Sequence, residues 1–84
     1  MKSKGNQITE LPLPKEVLVK VGQRIKSLRL NAGYSSYEKF AFKHDISRSQ
    51  FGRYEKGEDL KLSTLIKIVQ AFGISLEEFF KDVL

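Results

Sequence analysis

The 84-residue sequence contains no cysteine, no tryptophan, one histidine and two prolines. Without cysteine there is no disulfide framework and no thiolate metal site. That absence suits a reducing compartment, and a cytoplasmic location is expected. There is also no Gly-rich phosphate loop and no His/carboxylate cluster at metal-ligand spacing. An enzyme active site has little to be built from, so no catalysis, metal or cofactor is expected. His44 falls near a helix end, where a cation suits the dipole. No apolar run approaches the roughly 18 residues of a membrane span. The opening MKSKGNQITE lacks the apolar core of a secretory signal.

What is present is positive charge, unevenly spread. Up to Gly57 there are 12 basic and 5 acidic residues, or +7; beyond it there are 3 and 5, or −2. A basic first part with a slightly acidic end suits a polyanion bound on one side. A chain of 84 residues makes one small domain. Such a domain buries only about 60% of its unfolded surface, so its core has to be efficient.

Residues 1–13 show no periodicity and read as a flexible tail; phosphate contact by its Lys2 and Lys4 is the alternative to a disordered tail. The domain is expected over 14–84. Pro14 or Lys15 opens the first helix. Leu18, Val21, Ile25 and Leu28 form its apolar stripe, and Gly33 ends it as a left-handed residue. Ser35, with Glu38 three residues on, or else Ser36, caps a second helix over about 36–43. Its inner face carries Phe40 and Ala41. A tight turn at Asp45-Ile46 follows, and Asp tolerates a left-handed backbone there. Ser47 caps a third helix over about 48–56. Ser63 is expected to cap a fourth, with Leu65, Ile66, Ile68, Val69 and Phe72 apolar and Gly73 as its stop. Ser75 and Glu78 make a capping box for a fifth, whose apolar residues are Leu76, Phe79, Phe80 and Val83. Five helices with short connections and no strand pattern predict a compact all-α domain.

The third helix carries Arg48, Ser49, Gln50, Gly52 and Arg53, side chains suited to base edges and phosphates. Phe51 and Ile46 read as core plugs beneath them. Gly52 is out of place in a helix interior, by about 1 kcal/mol against Ala. It reads either as a close approach of backbone to DNA or as drift.

The stretch from Val21 to Phe80 resembles the lambda-repressor/Cro-like, or Xre-type, helix-turn-helix family. VGQRIKSLR, FA in the second helix, ISRSQFGRYEKG and LSTLIKIVQAFGISLEEFF carry the likeness, in order, over about three quarters of the chain. The resemblance implies a five-helix lambda-repressor-like domain that binds double-stranded DNA sequence-specifically as a bacterial-type transcriptional regulator. It places the first turn of the third helix in the major groove. Arg48, Ser49, Gln50, Gly52 and Arg53 become base readers, and Ser36, Tyr37, Lys39, Ser47, Lys56 and Lys61 become phosphate ligands. It also implies a buried ion pair between Arg29 and Glu55 that fixes the angle of the third helix. Tyr37 stands where the family commonly has Gln, and Glu58-Asp59 where relatives often carry basic residues. A homodimer through Leu76, Phe80, Val83 and Leu84 of the C-terminal helix would set two reading helices about 34 Å apart. The rival reading is an antitoxin or protein-interaction module that grips its partner with that same apolar helix.

Overall fold

The computed structural model describes residues 13–83. Apart from Leu13, the expected tail, with Lys2 and Lys4, lies outside the described residues, as does Leu84. Five helices follow one another: α1 Pro14–Asn31, α2 Tyr37–Lys43, α3 Arg48–Glu55, α4 Leu62–Ala71 and α5 Leu76–Lys81. No strand occurs among the described residues.

Local chemistry accounts for most of the boundaries. Pro14 opens α1, and the Glu16 carboxylate accepts from the Leu13 amide at 3.2 Å, satisfying a donor that the helix itself leaves unpaired. Gly33 (φ 94°) and Gly73 (φ 72°) end α1 and α4 in the left-handed conformation, as the sequence predicts. Of the two serines before α2, Ser36 is the cap, its hydroxyl accepting from the Lys39 amide at 3.3 Å. Ser47 and Ser75 cap α3 and α5 in the same way, accepting from Gln50 and Glu78. Ser63 does not cap α4. That helix begins earlier, at Leu62, after Lys61 and without a side-chain cap bond.

The α2–α3 turn is tight. Asp45 takes φ 58°, the Ile46 amide donates to the Ala41 carbonyl at 2.8 Å, and Lys67 Nζ donates to the Asp45 carbonyl at 2.6 Å. A lysine on α4 thus ties down the carbonyl of the turn.

The core gathers Val21 and Ile25 of α1, Phe40 and Ala41 of α2, Phe51 of α3, Leu65, Ile68 and Val69 of α4, and Phe79 and Val83 from the C-terminal end. Phe40 is its hub. Its ring stacks on Phe72 at 4.8 Å and meets Phe51 at 5.3 Å, Tyr34 edge-on at 5.3 Å and His44 at 4.4 Å. Such aromatic pairs contribute about 0.5–1.5 kcal/mol beyond their buried area. Val83, expected on a dimer surface, is instead part of this core at 4% exposure.

Six residues are too few for an independent helix, and α5 is held by Arg24 of α1. Its guanidinium donates to the carbonyls of Phe79 (3.0 Å) and Glu78 (3.1 Å) and reaches the Asp82 carboxylate at 3.2 Å. These are the carbonyls that a helix end leaves without partners.

Candidate nucleic-acid interface

The outward strip of α3 is polar because its apolar residues are spent inward. Phe51 is fully buried, while Arg48, Ser49, Gln50 and Arg53 are exposed. Ser49 and Arg53 stand four apart and so share a stripe one turn long. Arg48, at the first turn, makes no ion pair or hydrogen bond with another described residue, so its guanidinium is available to a ligand. The Gln50 side-chain oxygen Oε1 accepts from the Tyr54 hydroxyl at 3.3 Å, and the Ser47 and Ser49 hydroxyls lie 3.4 Å apart.

Three contacts fix the direction in which this strip points. Arg29, 4% exposed as a residue, meets Glu55 with two bonds: Nε to Oε2 at 2.7 Å and Nη2 to Oε1 at 3.0 Å. Its third donor, Nη1, reaches the Tyr34 carbonyl at 2.7 Å, so one side chain joins α1, α3 and the α1–α2 connection. A bidentate pair of this kind holds orientation as well as distance.

The second contact lies at Gly22, which the sequence reading passed over. A β-carbon there would stand 2.5 Å from the Tyr54 carbonyl oxygen and 2.7 Å from that of Glu55. The C-terminal end of α3 therefore rests on the bare backbone of α1. A glycine in the middle of an amphipathic helix is the signal that points to it.

The third contact changes the reading of Gly52. It is buried, and a β-carbon there would lie 2.8 Å from Cε1 and 2.9 Å from Cζ of Tyr37. The place expected for close approach to DNA is filled by the protein's own tyrosine ring. Gly52 is thus the seat of Tyr37, and the exposed polar strip of α3 consists of Arg48, Ser49, Gln50 and Arg53.

Two clefts flank Arg48. Tyr37, Glu38, Ser47, Arg48 and Ser49 line one of about 470 Å³. Glu38, Lys39, Phe42 and Arg48 line its neighbour, of about 310 Å³. The structure thus joins the start of α2 to the start of α3, and with them Tyr37, Lys39, Ser47, Arg48 and Ser49. Ser36 caps the same end of α2. Lys56 and Lys61 are exposed but line neither cleft. Glu38 and Phe42 enter the site unannounced. Glu38 read only as a capping partner, and Phe42 is an apolar residue out of phase with the inner face of α2. Among the described residues no group of His, Cys, Asp and Glu could hold a metal ion, and no helix is long and apolar enough to cross a membrane.

The family described as helix-turn-helix matches residues 25–79, from the middle of α1 into α5. A control protein of a Mycoplasma species, C.MunI, is 32% identical over 69 residues, covering 81% of this chain and 93% of that protein. No solved structure matches at a significant level.

Proposed function

We propose how this chain, which belongs to the helix-turn-helix family, reads double-stranded DNA as a sequence-specific transcriptional regulator: α3 enters the major groove and Arg48 contacts base edges. Ser49 and Arg53 extend the reading along one stripe, and Gln50 either reads a base or steadies Tyr54. The carrying observation is the placement of Arg48. It is an exposed guanidinium at the first turn of a helix that is itself held rigidly, standing between two clefts, one mainly polar and one walled by Phe42. A guanidinium in that position pairs bidentately with guanine, contributing about 1–3 kcal/mol of discrimination.

Phosphate contacts fall to Ser36, Tyr37, Lys39 and Ser47 around the clefts, with Lys56 and Lys61 further out. The relative's name, control protein, suits a regulatory role. The same reading puts the protein in the cytoplasm of a bacterial-type cell. It also pairs two copies through α5, where Leu76 is 39% exposed and Phe80 half-buried. Sedimentation equilibrium of the wild type and of Leu76→Glu tests the dimer; a wild-type monomer at all concentrations overturns it.

Selection of bound sites from random DNA, followed by titration at two salt concentrations, tests the reading itself. Specific binding that weakens steeply with salt is expected. Arg48→Ala should relax selection at particular base positions. Lys56→Ala should weaken all sequences alike and lower the salt slope by about 1. Equal loss on every sequence for both variants overturns the roles assigned to them.

A further inference from the structure

Phe42 is 76% exposed, the highest value among the exposed large apolar side chains of the described residues. The α2 register explains why it points outward. Ala41 and Phe40 take the inner face, and Phe42 shares the outer face with Glu38, four residues earlier. That face is the wall of the cleft that Arg48 closes from the α3 side, with Lys39 beside it. The exposed ring is therefore continuous with the reading strip and flanked by two cations. A polyanion that brings a base edge to Arg48 brings its next feature to Phe42.

A phenyl ring has no bond to offer a phosphate. What the major groove offers it is the C5 methyl group of thymine, the one apolar landmark there, which phenylalanine is suited to meet. We infer that Phe42 is a specificity residue that covers a thymine methyl group next to the base read by Arg48. The inference rests on the assignment of Arg48 to the major groove. It adds α2 to the reading surface and predicts a thymine preference that no residue of α3 accounts for.

Deoxyuridine replaces thymine without the methyl group and leaves base pairing intact, so it probes this contact alone. In the selected site each thymine is replaced in turn, and binding is measured by fluorescence anisotropy for the wild type and Phe42→Ala. One replacement should weaken the wild type about fourfold, the worth of one buried methyl group, and leave Phe42→Ala unaffected. Phe42→Leu should keep part of the discrimination. Phe42 is exposed, so the variants should keep the wild-type circular dichroism and melting temperature. Uracil penalties of equal size in wild type and Phe42→Ala, or unchanged affinity of Phe42→Ala for the intact site, overturn the assignment and leave the reading by Arg48 standing. Failure of the wild type to prefer any sequence overturns both.

Discussion

Tyr37 Cε1 lies 2.8 Å from the point that a β-carbon on residue 52 would occupy. The tyrosine at the start of α2 and the glycine inside α3 are two halves of one fit. A bulky ring at the start of α2 needs a gap in α3, and glycine supplies it.

Gly52→Ala should accordingly push the ring aside. Overpacking costs about 1–3 kcal/mol, against about 1 kcal/mol gained from replacing a helical glycine. A net loss of about 0–2 kcal/mol is expected in urea unfolding, with a larger proportional loss of DNA affinity as the cleft beside Arg48 is reshaped. In a Tyr37→Ala background the same substitution should become neutral or stabilising, a coupling of at least about 0.5 kcal/mol. An identical effect in both backgrounds would show that the two residues do not share a seat.

Gly22→Ala should be worse than Gly52→Ala. At Gly22 a β-carbon meets backbone oxygens at 2.5 and 2.7 Å, and not the far end of a side chain. Backbone cannot rotate away, so α3 has to shift on α1. Destabilisation at the upper end of the overpacking range, about 3 kcal/mol, is expected, together with reduced site discrimination because the strip changes direction. Wild-type stability in thermal or urea melts would remove Gly22 from the set of contacts that orient α3.

Breaking the Arg29–Glu55 pair should be the most damaging single change at the base of α3. The two side chains are 5% and 7% exposed, so either partner left alone is a buried, unpaired charge. Arg29→Ala is expected to cost about 3–5 kcal/mol, a large part of the stability of a small domain. Glu55→Gln should cost less, because an amide still accepts from the guanidinium. Denaturation curves of the two variants check both the size and the order.

Asp45→Gly should leave the turn intact and relieve it. Asp45 holds φ 58°, where a β-carbon crowds the backbone and glycine does not. Its tether from Lys67 is made to the carbonyl, which the substitution keeps. A gain of up to about 1 kcal/mol is expected, with DNA binding unchanged; Asp45→Val should lose about 1–2 kcal/mol instead. A destabilised Asp45→Gly in urea unfolding would mean that the Asp45 carboxylate itself holds the turn.

The sequence by itself determined the helices, most of their ends and which polar residues line the outward face of α3. Apolar residues at helical spacing, serine caps and left-handed glycines act within a turn of where they stand, so Val21 and Ile25, Ser47 and Gly73 declare their roles locally. The start of α4 escaped that reading because no side-chain cap marks it.

Only the tertiary structure decided which neighbours those residues meet. Gly52 looked like an approach to DNA or drift and proved to be a seat for Tyr37. Val83 looked like a partner surface and closes the core. Gly22 had no role assigned to it within VGQRIKSLR and supports the end of α3. Glu38 and Phe42 became walls of the cleft beside Arg48. Each of these outcomes depends on contacts between different helices, and on differences of a few tenths of an ångström in the spacing of close-packed atoms. Periodicity assigns a residue to a face of its helix; the crossing of two helices decides what stands opposite.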